Sequence, residues 1–284
     1  MKKLSMILFL IPLIVACNGG KTKQNVIGGG YGMGELNGES TEGFWQFYND
    51  NDQLESEGNY KNNMAQGEWK FYYPDGSIEE ISEWENDVVN GKFQYFHKNG
   101  NKHSEGVYVM DKKDGNWIWY YENGQKEVEG EFDMDFRQGN WKWYHENGQL
   151  AEESNLVDSL FQGPSMTYYE NGQIQSKGEY INDLQSGEWK FWYEDGTLED
   201  HSNWKEGELN GHSENYYENG NKKFEGDYVM GVENGKFIWY YENGNVEIEG
   251  NYVDGLEQGI FTYYNEDGTL DSKLKYKDGE VVED

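Results

Sequence analysis

The sequence predicts an all-β protein, an elongated antiparallel β-hairpin repeat array of ten 24-residue units, on three observations. A glycine recurs as Gly43, Gly67, Gly91, Gly115, Gly139, Gly163, Gly187, Gly211, Gly235 and Gly259, always 24 residues apart. A fixed period in this range marks a repeat architecture, in which each unit buries its apolar side only against its neighbours. Eight and nine residues after that glycine stands Asn-Gly or Asp-Gly in every unit but the first, which has Asn51-Asp52. Finally, the chain holds only 3 prolines and no long stretch of helical apolar period.

Counting offsets from the glycine, Asn-Gly at offsets 8 and 9 between aromatic runs predicts a hairpin closed by a two-residue type I′ turn. Such a turn fixes the register, so offsets that sum to 17 face each other: Trp45 against Gly58, Trp117 against Gly130, and Gly115 against Phe132. Each large ring is expected to cover the glycine opposite it. Side-chain alternation then puts offsets 0, 2, 4, 6, 11, 13, 15 and 17 on one aromatic face, and offsets 1, 3, 12, 14 and 16 on a polar one. Offset 5 is the exception on the polar side, being aromatic in all ten units. Its central members Tyr120, Tyr144, Tyr168, Trp192, Tyr216 and Tyr240 are the candidate binding surface, a ladder of rings about 9.6 Å apart if two strands separate successive units.

Three regions follow along the chain. Residues 1–16 carry Lys2 and Lys3 before an apolar run from Leu4 to Ile14, the pattern of a signal peptide. Ile14-Val15-Ala16-Cys17 resembles the lipobox of bacterial lipoproteins, which implies lipid attachment at Cys17, a membrane as partner, and a place in the cell envelope. Residues 17–42, rich in glycine, read as a flexible tether reaching about 25 to 30 Å. Residues 43–284 hold the repeats, and offsets 18 to 23 read as a longer loop folding over the edge of the aromatic face. Units six and eight depart from the pattern, with Ser165 and Thr167, and Ser213 and Asn215, where other units have rings. In unit eight Phe224 faces Asn215, whereas unit six offers no replacement, so a soft point or pocket is expected there.

A formal charge of −31, from 54 acidic against 23 basic residues, excludes nucleic acid as a partner class, and 17% aromatic content argues against disorder. No nucleophile elbow, P-loop, His-Glu-x-x-His or cysteine-rich zinc pattern occurs, so the sequence predicts no catalytic residues, no cofactor and no metal site.

The unit Gly-x-Trp-x-Trp/Phe-Tyr-Tyr-Glu-Asn-Gly-x-x-x-x-x-Gly-x-Tyr resembles the variant MORN repeat of bacterial proteins named as YwqK-family antitoxins of toxin-antitoxin modules. The resemblance implies a MORN-like hairpin array and a binding role without catalytic residues. The resulting expectation is a non-enzymatic, membrane-anchored repeat lipoprotein that acts as a binding or scaffold module for a protein or glycan. The alternative implied by the resemblance is an antitoxin or immunity protein that neutralises a cognate toxin.

Overall fold

The structure, a computed structural model, describes residues 17–18, 21–26 and 29–282. The signal peptide expected over residues 1–16 lies outside them. All regular elements among the described residues are β-strands, 25 in number. Two compact units are formed, one up to Arg137 and one from Gln138 onward. Within each unit successive strands pair antiparallel, except that Val232–Glu233 and Gly235–Tyr240 both pair with Lys222–Val229 and continue in one direction. Repeats 1 to 4 supply pairs such as Met64–Tyr72 with Ile78–Glu85 and Lys112–Tyr120 with Lys126–Asp133, and the later repeats pairs such as Leu184–Trp192 with Leu198–Lys205.

The expected register holds over most of each hairpin: Gly43 pairs with Tyr60, Trp45 with Gly58, Phe47 with Ser56, and Trp117 with Gly130. Near the turn it differs, because the turn is of another kind. Tyr121 N donates to Gln125 O, Gly124 N donates to Tyr121 O, and only Gly124, at φ 87°, has positive φ. This is a type I turn closed by a glycine bulge, with a three-residue loop in place of the expected two. The Asn123 carboxamide oxygen accepts from Gln125 N at 2.8 Å, so the asparagine of Asn-Gly braces the turn through its side chain. A second bulge, between Trp119 and Tyr120, then restores the expected pairing.

The type I′ turn stands at the other end of the strands, at offsets 19 and 20. Asn86 and Asp87 have φ 52° and 67°, and Met110 and Asp111 have φ 50° and 63°. Offsets 18 to 23, read from sequence as a loop over the aromatic face, are therefore a tight hairpin whose arms belong to the strands. The Asp87, Asp111 and Asp183 carboxylates accept from Ala65 N, Val89 N and Phe161 N of the preceding repeat at 2.6, 2.9 and 2.6 Å. At the opposite strand ends, Tyr73, Tyr169, Tyr193 and Tyr217 hydroxyls donate to backbone carbonyls of the next repeat at 2.6 to 2.8 Å. His97 and His145 replace that tyrosine and meet Tyr120 O and Tyr168 O at 2.9 Å. Within each unit both margins of the strands are thus stitched from repeat to repeat, which satisfies backbone groups that a bare turn leaves to water.

The period-marking glycine is needed for its backbone. Gly67 and Gly115 have φ 72° and 67°, and a Cβ at either would meet nothing within 4 Å. They sit where pairing between repeats shifts, between Asp114 opposite Val107 and Ile118 opposite Glu105. The bulge leaves a carbonyl of the preceding return strand for an indole: Trp69 Nε1 donates to Asn59 O at 3.2 Å, Trp117 Nε1 to Val107 O at 3.0 Å, and Trp189 Nε1 to Glu179 O at 3.1 Å. Each of these rings therefore leans over the glycine of the preceding repeat, and not over the one it faces in its own hairpin as expected. A Cβ on Gly58 would lie 2.2 Å from the Trp69 ring, and one on Gly106 2.3 Å from the Trp117 ring. Trp45, Trp69, Trp117, Trp141 and Trp189 are buried to 2% exposure or less, and they form the core.

The same device corrects the reading of the stretch before Gly43. Lys21–Asn25 and Tyr31–Asn37 are strands, and the second pairs with Ser40–Tyr48, Tyr31 opposite Tyr48 and Leu36 opposite Thr41. Gly34 lies under Trp45, where a Cβ would approach the ring to 2.2 Å. Glycine here makes room for a ring, so these residues cap the first repeat and are not a free tether.

Candidate binding faces

Within each unit the predicted residues hold the same row of their strands. Tyr120 in the first unit, and Tyr144, Tyr168, Trp192, Tyr216 and Tyr240 in the second, are all half-buried. Each pairs with the residue at offset 11, as Tyr120 with Lys126 and Tyr240 with Val246, one place from the partner that a two-residue turn implies. Several hydroxyls are committed to acids: Tyr120 to Glu105 at 2.6 Å, Tyr216 to Glu214 at 2.8 Å, and Tyr240 to Glu225 at 2.6 Å. Burial and then these carboxylates push the Tyr216 and Tyr240 phenols up to about 12, so they remain donors at any physiological pH. At Tyr120 and Tyr240 the bond ties neighbouring strands together, whereas at Tyr216 it stays within one strand.

The aromatic face carries acids that sequence reasoning missed. Glu80, Glu152 and Asp200, at offset 13, lie in the row of rings: Glu80 stands between Phe71 and Tyr95, and Asp200 between Phe191 and Asn215. Each accepts from a buried serine two residues on, Ser82 and Ser154 at 2.7 Å and Ser202 by a short bond. In the first and third pairs the serine oxygen also accepts from an indole, Trp84 Nε1 and Trp204 Nε1, at 2.9 Å. Burial pushes the Glu80 and Asp200 carboxyls above the usual carboxylate range. The signal in the sequence was an acid, any residue, then serine in place of glycine at offset 15.

In the first unit these groups border a groove of about 450 Å³, lined by Phe71, Glu80, Tyr95, His103, Lys113 and Trp119 among others. Glu79 and His103 at offset 12, assigned from sequence to the polar face, line it too, because offset 12 is the extra residue of the hairpin bulge and its side chain is re-aimed. The Tyr95 hydroxyl donates to Glu79 at 3.0 Å. Burial, then the neighbouring His97, holds His103 below the usual imidazole range, and its Nδ1 is buried without a partner. Rings, two carboxylates and an unsatisfied imidazole nitrogen thus converge on one concavity, the usual composition of a ligand site.

A third cluster, His212, Glu214 and Glu225, has ligand atoms within 4.8 Å of one another. Lys222 Nζ already sits there, 2.8 Å from Glu214 and bonded also to Glu225, and it is the main cause that holds the Glu214 carboxyl down to about 2. The position a cation would take is filled by an ammonium group.

The model of the MORN repeat variant matches ten segments of the chain, residues 42–62, 65–86, 89–110, 113–134, 137–158, 161–182, 185–206, 209–230, 233–254 and 257–278. No curated protein matches. Among solved structures, 91% of the chain aligns at 11% identity with 17% of the chain in a crystal structure of TcdB2-TccC3 without its hypervariable C-terminal region, at a TM-score of 0.19. It aligns over the same shares and at the same identity with one of TcdB2-TccC3-Cdc42, at 0.14. At these scores neither likeness bears on fold or function.

Proposed function

The chain belongs to the MORN repeat variant family, whose repeats commonly serve as binding or scaffold modules, and we propose on that premise that it acts by binding a protein or glycan through its aromatic face while anchored to a membrane by lipid on Cys17. The observation that carries this reading is the groove beside Glu80. A carboxylate kept among rings against the cost of its desolvation is a feature that stability alone disfavours. The groove is favoured over the offset-5 column because hydroxyls of the column are already spent on neighbouring acids.

The pH dependence of Glu80 follows from the direction of its shift. A carboxyl whose folded pKa is raised contributes stability below its unfolded value, near pH 4, and loses it as pH rises through the folded value. Glu80→Gln, which still accepts from Ser82, is therefore expected to melt at a higher temperature than the parent at pH 7 and at the same temperature below about pH 4. The same variant and Trp119→Ala should both lose the partner captured from envelope extracts, whereas Tyr120→Phe should retain it. Capture unchanged in Glu80→Gln and Trp119→Ala would move the binding surface away from the groove.

The anchor has its own test. Each acyl methylene contributes about 0.8 kcal/mol on burial, so several chains on Cys17 would hold the protein in the detergent phase. Cys17→Ser should release it to the aqueous phase, and retention would refute lipid attachment.

A further inference from the structure

Lys113 reveals what the aromatic face accepts. Its Nζ lies 4.8 Å from the ring centroids of Trp117 and Trp119 and 5.2 Å from that of Phe132. An ammonium group thus fills a three-sided cage of rings, the geometry in which ring quadrupoles attract a cation. The centroids of Trp117–Trp119, Trp117–Phe132 and Trp119–Phe132 are 5.6, 6.3 and 6.0 Å apart, with interplanar angles of 28°, 82° and 61°.

Five repeats later the cage recurs. Phe237, Trp239 and Tyr252 occupy the same offsets, their centroids 5.7, 5.3 and 6.1 Å apart in the same order and their planes at 29°, 74° and 67°. The residue in the place of Lys113 is Glu233. The cage is therefore preserved while its built-in cation has become an acid. Glu257 pairs directly with Tyr252, and Glu233 pairs with Tyr228 as Lys113 pairs with Tyr108, so both acids stand in the register around these rings. The Tyr252 phenol is raised first by burial and then by these two carboxylates. Phe132, in the cage that holds Lys113, is 8% exposed, whereas Tyr252 is half-buried.

We propose that the cage of Phe237, Trp239 and Tyr252 takes the ammonium group of a lysine side chain presented by a protein partner, with Glu233 and Glu257 as counter-charges. This rests on the reading of the aromatic face as a binding face and names the chemistry of what it binds. Lys113 is the intramolecular version of the ligand. The rings supply attraction that strengthens as the ammonium is desolvated, and the two acids supply a countercharge, as Asp135 does for Lys113.

The probes are N-acetyl-lysine-N′-methylamide and its ε-acetylated counterpart, which keeps the stem and removes the charge. In the full chain, the Trp239 indole N–H resonance, assigned with Trp239→Phe, should shift with the lysine probe and not with the acetylated one. Glu233→Lys, which places a cation in the cage, should weaken this response about tenfold. Glu242→Lys, the same charge change at an exposed turn, should leave it unaltered. Lys113→Glu should add a second responding indole, that of Trp119, so a gain of binding tests the inference even where Glu233→Lys is poorly folded. Equal responses to both probes, or a Trp239 response unchanged in Glu233→Lys, would overturn it. Loss of the lysine response with partner capture still dependent on Glu80 and Trp119 would remove the cage proposal and leave the broader binding role standing.

Discussion

Valine at Gly178 is expected to lower the stability of its hairpin by about 3 to 5 kcal/mol, the range seen when a buried aromatic side chain is lost. The new Cβ would stand 2.2 Å from Cδ2 and Cε2 of Trp189, a ring with 2% exposure. That ring is held on three sides, by Tyr180 at 5.0 Å, by Phe191 at 5.7 Å and by the bond from its Nε1 to Glu179 O. It cannot yield without giving up all three. Lys177→Val, one residue away on the exposed row, should stay within about 0.5 kcal/mol of the parent. Urea midpoints of the two variants separate them, and equal midpoints would refute the placement of each ring over the preceding repeat. The matching position for Trp117 is Gly106 and not Gly130, although Gly130 is its partner in register.

That distinction marks how far the sequence could be read. Period, hairpins and the pairing of offset 2 with offset 15 were legible because glycine and large rings alternate with strand spacing. The direction in which a ring leans was not, since it depends on a carbonyl that a bulge frees on another strand. Turn types were exchanged for a related reason. Asn-Gly suits both a type I′ turn and a type I turn with a glycine bulge, and local propensity does not choose between them. The true type I′ turns include Met110-Asp111 and Glu206-Gly207, and methionine or glutamate at positive φ is no sequence signal at all. Their conformation is imposed by the two strands they join.

The candidate site was legible only in part. The offset-5 column stood out because every unit repeats it, yet half-buried rings with bonded hydroxyls are also what a sheet needs between its strands. Glu80, Glu152 and Asp200 were hidden among the 54 acids of a chain that places carboxylates almost everywhere. His103 was misplaced by one bulge, and the cage around Lys113 depends on three rings drawn from two strands whose mutual angles no spacing reveals.

The sixth repeat shows the same limit and supplies the second large effect. Ser165 and Thr167 remove both rings from its outgoing strand, and Thr167 faces Ser176 as the register requires, hydrogen-bonded at 2.7 Å. The expected gap is nevertheless filled, by Phe161 from the arm of the preceding tight turn, where other repeats carry Ala65, Val89 or Lys113. Phe161 lies 6.2 Å from Trp143 and 5.4 Å from Tyr180, so it carries the run of rings across the sixth repeat. Phe161→Ala should therefore cost about 3 kcal/mol, at the lower end for phenylalanine because the ring is half-buried. Phe44→Ala, at a side chain 43% exposed, should cost less than about 1 kcal/mol. A ring restored at offset 2 ought to recover part of the loss, and the third repeat sets the precedent, since Phe93 pairs there with Ser82 as Ser165 pairs with Ser154. Ser165→Phe in the Phe161→Ala background is thus expected to raise the denaturation midpoint toward that of the parent. A midpoint for Phe161→Ala no lower than that for Phe44→Ala would show that the sixth repeat closes its core by some other means.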